Sequence, residues 1–233
     1  MNITALSFLV FLMLPSPSGA LRFYADLEKN CQIALEDAQA VPADRRKTLD
    51  QIVAYAATAL QAGRDVQINF ICTHNSRRSQ LCQAWAFAAA EWFGLPQIKV
   101  FSGGTETTAC NPRTVEALRR AGFKIVLAET TDQDTDGNPR YWLQCSDEGQ
   151  TMSLFSKVCD APENPSANFC AVLVCSQADE ACPVIFGADL RIYHGYEDPK
   201  RADGQADEAE IYDAASRQIA AEMFYLFAML AQG

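Results

Sequence analysis

Histidine is nearly absent: the chain holds two, His74 and His194. That scarcity excludes metal sites built on several histidines and argues against a Ser-His-Asp hydrolase. No CxxC pair occurs, so the spacing of a zinc ribbon is missing as well. Basic residues are outnumbered, 19 Lys plus Arg against 29 Asp plus Glu, for a net charge of -10. Such a balance offers no phosphate-neutralising face, which argues against nucleic acid and anionic membranes as partners. Any anion site must then be a local device. The apolar run Ala5–Leu14 is too short to cross a bilayer, and no later segment is longer and apolar enough, so no membrane span is expected.

What is present is a 233-residue chain with 49% hydrophobic and 21% charged residues, enough to bury a core. Nine cysteines stand at 31, 72, 82, 110, 145, 159, 170, 175 and 182. An odd number does not suit a closed disulfide framework, and most read as small buried hydrophobes. Residues 1–20 carry no charge, and Ser18-Gly19-Ala20 resembles a cleavage site, the pattern of a signal peptide. No Lys or Arg precedes the apolar run. The location stays open: periplasmic or secreted if 1–20 are cleaved, cytoplasmic if translation starts later and they are a misassigned leader.

Residues 21–63 read as an N-terminal helical extension. Leucines, isoleucines and alanines recur there at three- and four-residue spacings, and Pro42 divides two helices, with Asp44 as an N-cap. The strand Val66–Cys72, mostly apolar, precedes a turn and then a helix over 79–93. A strand at 99–102 follows, then a helix over 113–121 with Pro112 in its first turn and a strand at 123–128. This alternation predicts a parallel sheet covered on both faces. Residues 130–168 interrupt it. A turn-rich loop and a hairpin pairing 141–145 with 151–155 read as a β-rich insertion at the sheet's edge. Strands at 169–175 and 190–193 and a helix over 208–230 complete the chain.

Chemistry concentrates in Cys72-Thr73-His74-Asn75-Ser76-Arg77-Arg78-Ser79, a C-x5-R-S stretch between a strand and a helix. A loop there can turn successive backbone N–H groups inward, and the helix dipole adds positive potential. That cradle, residues 73–79, suits a tetrahedral oxyanion, and Arg78 adds a planar grip on two oxygens. The same field favours the thiolate form of Cys72. Ser79 can donate to that sulfur. Asn75 tolerates positive φ and can brace the loop through its side chain. His74 and Arg77 are expected at the solvent rim. No metal ligand set is expected.

These residues resemble the low-molecular-weight protein tyrosine phosphatase superfamily, including its thioredoxin-coupled arsenate reductases, whose loop reads approximately C-x-G-N-x-C-R-S. Cys72, Asn75, Arg78 and Ser79 match. His74 stands for the glycine and Arg77 for the second loop cysteine, which removes any redox pair inside the loop. Ser102-Gly103-Gly104-Thr105, Asn111-Pro112-Arg113 and Asp198-Pro199 continue the likeness over about 66–230. The resemblance implies a three-layer α/β/α fold around a four-stranded parallel sheet, in a domain over 64–233. It implies no cofactor, a ligand at the carboxyl end of the first strand, and Asp198 as general acid.

Val174-Cys175-Ser176-Gln177-Ala178-Asp179-Glu180-Ala181-Cys182-Pro183 is the other informative stretch. Cys175 ends a parallel strand, so it emerges on the same sheet edge as Cys72. The spacing to Cys182, with Ala178, Asp179 and Pro183, is similar to the arsenate reductase branch. The resemblance implies a relay in which Cys72 attacks arsenate, Cys175 releases arsenite by forming a disulfide with Cys72, and Cys182 passes the disulfide to a thioredoxin-type reductant. Three readings stand: an arsenate reductase, a phosphomonoesterase using Cys72, Arg78 and Asp198, and an inactive oxyanion- or partner-binding module.

Overall fold

A computed structural model describes residues 22–128, 137–182 and 184–232; residues 1–20, read as a leader, the centre of the turn-rich loop and Pro183 lie outside them. Strand β1 (Val66–Cys72) is flanked by β2 (Ile98–Gly104) and β6 (Phe169–Leu173), with β7 (Ala188–Tyr193) beyond β6. All four run parallel in the order β2-β1-β6-β7. β1 and β6 are buried along nearly their whole length because they are central strands with both faces covered. Their carboxyl ends therefore deliver Cys72 and, two residues past β6, Cys175 to one edge of the sheet.

Helices flank this sheet. α3 (Arg78–Phe93) packs on β1 and β2 and against α6 (Glu208–Ala231). Its residues 79–90 are all buried, and the many alanines among them let it lie close to both neighbours. Trp85 and Phe224 meet edge to face there, with centroids 6.4 Å apart. α1 (Ala25–Ala38) packs on α6. α2 (Ala43–Gln61) touches α6, β1 and β7. Pro42, not Asp44, occupies the N-cap of α2; Asp44 sits one residue inside the helix, where its charge still complements the dipole.

The strand expected at 123–128 does not join the parallel sheet. β3 (Lys124–Leu127) instead pairs antiparallel with β4 (Tyr141–Gln144), which pairs with β5 (Thr151–Leu154) in the anticipated hairpin. Only Ile125 of β3 is buried, with Val126 and Leu127 about half exposed, so it lacks the two apolar faces an inner parallel strand needs. β7 takes the fourth place. The insertion meets the main sheet in a bridge, Val158 beside Gly104 at the end of the edge strand β2, and in side-chain bonds such as Asn69 Nδ2 to Cys159 O and Asn164 Nδ2 to Ser102 O. The described residues contain no helix long and apolar enough to cross a membrane.

Candidate active site

The turn after β1 is organised by its carbonyls. Cys72 O accepts from Thr105 N, Thr73 O from Glu106 N, and His74 O from the hydroxyls of Thr108 and Ser156. Asn75 O accepts from Gln80 Nε2, Ser76 O from Asn111 N and Thr114 Oγ1, and Arg77 O from Leu81 N. Every carbonyl from 72 to 77 is thus held from outside the loop. Among the described residues, no backbone N–H from Thr73 to Arg77 donates to a main-chain or side-chain acceptor. Donors left free at a helix N-terminus form an anion cradle. α3 begins at Arg78, one residue earlier than expected.

The likeness motifs have mechanical explanations here. A Cβ at Gly104 would lie 2.7 Å from Thr73 O and 2.9 Å from Asn75 N, so only glycine lets β2 approach the loop this closely. Asn111 caps α4 (Pro112–Arg120) by accepting from Arg113 N, while its own N–H holds Ser76 O.

Cys72 is 3% exposed, and its Sγ lies 3.0 Å from Ser79 Oγ. Asn75, at φ 46, accepts the Lys157 N–H at Oδ1, which turns its Nδ2 onto Ser79 Oγ at 2.9 Å. Ser79 oxygen therefore accepts from Asn75, which leaves its one proton available to a Cys72 thiolate. The expected brace is present, extended by the insertion. Phe155 O receives the other Gln80 Nε2 proton. Lys157 itself is buried, which pushes its ammonium down to about 8, with Arg140 adding to the effect and Glu163 opposing it.

Arg78 faces Asp198. Its Nη2 donates to Asp198 Oδ2 at 2.7 Å and its Nη1 to Tyr196 O at 3.3 Å. Asp198 also caps the short 3-10 turn Pro199–Ala202 by accepting from Lys200 N. Arg77 is not at the rim. Its side chain is 12% exposed and donates to Tyr212 Oη at 2.7 Å and Asp203 Oδ2 at 3.0 Å. Burial alone would raise the Asp203 carboxyl, but hydrogen bonding from Tyr212 and the charges of Arg77 and Arg113 hold it below the usual range. Consecutive loop arginines thus staple the loop to both ends of the 198–203 turn. His74 is exposed as expected, in a surface pair with Glu106.

Cys175 is buried, not as the last residue of β6 but as the N-cap of α5 (Ser176–Ala181), its Sγ accepting from Ala178 N. Thr73 Oγ1, one residue from Cys72, lies 3.5 Å from that sulfur. Cys182 is partly exposed at the C-cap of α5. Arg191 pins that end, donating to Cys182 O, Asp179 O and Asp179 Oδ1. All nine cysteines are free. Burial pushes the thiols of Cys31, Cys82, Cys110, Cys145 and Cys170 upward, leaving them as core residues. No cluster among the described residues is disposed to hold a metal ion.

A buried thiol at the end of a strand, a following loop whose N–H groups have no acceptor among the described residues, an arginine and a helix N-terminus are the parts of a cysteine-dependent enzyme acting on oxyanions. A family model of the low molecular weight phosphotyrosine protein phosphatases matches residues 67–136. Arsenate reductase 2 of Staphylococcus epidermidis is 30% identical over 134 residues, 57% of this chain and 77% of that protein. An arsenate reductase of Halalkalibacterium halodurans is 27% identical over 143 residues, 60% of this chain and 79% of that protein. A low molecular weight phosphotyrosine phosphatase from Vibrio cholerae superposes at a TM-score of 0.46 and 14% identity, over 69% of this chain and 94% of that one. The chain belongs to the low-molecular-weight protein tyrosine phosphatase superfamily, on its arsenate reductase side.

Proposed function

We propose that the chain reduces arsenate, with Cys72 as nucleophile and Cys175 and Cys182 carrying the oxidation outward. The observation that carries this reading is the 3.5 Å between Thr73 Oγ1 and Cys175 Sγ, a second buried thiol at the mouth of the Cys72 loop. The Cys72 thiolate attacks arsenic in the cradle, and an arsenate oxygen leaves as water after protonation. Cys175 thiolate then attacks Cys72 Sγ. The sulfur–arsenic bond breaks, its electron pair stays on arsenic, and arsenite departs as a Cys72–Cys175 disulfide forms. The two thiols supply the two electrons. Cys182 thiolate attacks Cys175 Sγ and frees Cys72, and an external dithiol of the thioredoxin type reduces the Cys175–Cys182 bond.

The last exchange sets a mechanical requirement. Seven residues along a helical path separate Cys175 from Cys182 by about 10 Å. A disulfide tolerates about 7 Å between Cα atoms. α5 must unwind, which a six-residue helix with polar, partly exposed residues can do at low cost.

A second reading, phosphomonoester hydrolysis, is favoured by Asp198 standing 2.7 Å from Arg78, in reach of a leaving group on the same oxyanion. Steady-state turnover of arsenate with a thioredoxin-type reductant, run beside turnover of an aryl phosphate, separates the two. Arsenite production that needs all three cysteines supports reduction; aryl phosphate turnover alone leaves the hydrolase.

A further inference from the structure

Two buried titratable side chains meet at a place the candidate chemistry does not use. Glu222 on α6 and His194, just past β7, are 2% and 3% exposed, and Arg45, from the first turn of α2, closes on both. Arg45 Nε and Nη2 donate to the two Glu222 oxygens at 2.5 and 2.7 Å, and Nη1 donates to Gly195 O at 2.9 Å. Its guanidinium also stacks 4.8 Å from the Tyr196 ring centroid, and His194 meets that ring edge-on at 5.3 Å. His194 Nε2 lies 2.8 Å from Glu222 Oε2, and Thr48 Oγ1 is beside His194 Nδ1. Burial pushes the Glu222 carboxyl up, but hydrogen bonds from His194 and Arg45 overcome this and hold it at about 2, so it stays charged.

Beyond Glu222, the partners of Arg45 are residues 194–196, and these lead straight into the site. His194 N and Tyr196 N continue the sheet by donating to Leu173 O and Val174 O, beside Cys175. Tyr196 O then accepts from Arg78, and Asp198 pairs with the same guanidinium. The segment 194–198 is a strap, gripped by Arg45 on one side and applied to Arg78 on the other.

We propose that Arg45, contributed by the helical extension, is a positioning residue for the active site: it sets the strap so that the Tyr196 carbonyl and Asp198 meet Arg78. The inference rests on the proposed chemistry of Cys72, Arg78 and Asp198. A fork is suited because Nε, Nη2 and Nη1 reach two carboxylate oxygens and a carbonyl in fixed, divergent directions, a geometry the compact lysine ammonium does not reproduce. A buried carboxylate left alone would be destabilising, so the neutral pair R45Q/E222Q serves beside Arg45→Lys. The control is Arg217→Ala, which breaks another tie from the extension to α6, the exposed Arg217–Asp37 pair, away from the strap.

The test compares aryl phosphates of good and poor leaving groups at temperatures where each protein is folded by circular dichroism. For Arg45→Lys or R45Q/E222Q, kcat should fall about tenfold or more with the poor leaving group, a share of the two to four decades that general acid catalysis supplies. The loss should shrink with the good one, and the inhibition constant for inorganic phosphate should move with Arg78. Arg217→Ala should change the melting temperature alone. If folded Arg45 variants keep wild-type leaving-group dependence and phosphate affinity, the positioning role is overturned while the proposed chemistry stands. A wild-type protein without turnover or phosphate protection of Cys72 overturns both.

Discussion

Arg78 Nη2 lies 2.7 Å from Asp198 Oδ2, so the guanidinium that would hold two substrate oxygens is already engaged by a carboxylate. An incoming dianion must displace that carboxylate from at least part of the fork, and the displaced Asp198 is then adjacent to the oxyanion it would serve. In the proposed hydrolysis, binding and acid placement would be one rearrangement.

Removing the carboxylate separates the two effects. Asp198→Asn should slow hydrolysis of an aryl phosphate with a poor leaving group by about two to four decades. It should not weaken binding of inorganic phosphate, because Arg78 loses a competitor. Leaving-group series with phosphate inhibition measured in parallel check this. An unchanged rate with the poor leaving group removes Asp198 from the reaction.

The Asn75–Ser79–Cys72 chain predicts a graded response. Ser79→Ala takes away the hydroxyl proton aimed at Cys72 sulfur, a charge-assisted bond of about 1.5–3 kcal/mol. Alkylation of Cys72 by iodoacetamide near neutral pH should slow by about tenfold or more. Asn75→Ala also strands the buried Lys157 N–H at a cost of about 1–3 kcal/mol and leaves a β-carbon at positive φ without the side-chain hydrogen bonds that let asparagine adopt it. Asn75→Gly should recover the second part only. Equal melting temperatures for the alanine and glycine variants would show that the backbone is not strained there.

The loop and most elements were legible in the sequence because their signals are local. C-x5-R-S between a strand and a helix needs eight neighbouring residues, and the helices announce themselves every three or four. What stayed hidden is long-range pairing. Arg77 reads as a rim residue until α6 and the 3-10 turn bring Tyr212 and Asp203 to it, across 135 and 126 positions. Ser156 and Lys157 carry no motif, yet the insertion they belong to holds His74 O and Asn75 Oδ1. Arg45 looks like any charged residue in a first helical turn. Alternation places β3 in the parallel sheet because it counts elements and ignores whether both faces are apolar.

Glu222 gives a pH prediction with a definite sign. Its carboxyl is held at about 2 against an ordinary 4.5, so its contribution is full above the ordinary value and is lost as pH falls from about 4.5 toward 2. The shift corresponds to about 3 kcal/mol. Urea unfolding at several pH values should show wild-type stability dropping by that order across the window, with R45Q/E222Q giving a flatter curve. Parallel curves for the two proteins would mean that the buried cluster does not carry acid sensitivity.

The relay predicts that two cysteine substitutions fail differently. Cys175→Ser should block arsenite release while aryl phosphate hydrolysis continues, since that reaction needs Cys72, Arg78 and Asp198 alone. Cys182→Ser should release one arsenite per chain and stop at a Cys72–Cys175 disulfide that the external dithiol reaches poorly, because both sulfurs are buried. Arg191 adds a mechanical test. It holds Cys182 O at 3.0 Å and Asp179 Oδ1 at 2.7 Å, pinning the turn of α5 that must unwind before Cys182 can reach Cys175. Arg191→Met should therefore speed formation of the Cys175–Cys182 disulfide without changing the yield of the first arsenite. Single-turnover arsenite assays with peptide mapping of the disulfides resolve all three. Wild-type arsenate turnover that survives both cysteine substitutions, or its absence altogether, leaves the hydrolase reading alone. An Arg191 variant that forms the second disulfide no faster places the slow step in sulfur chemistry and not in the helix.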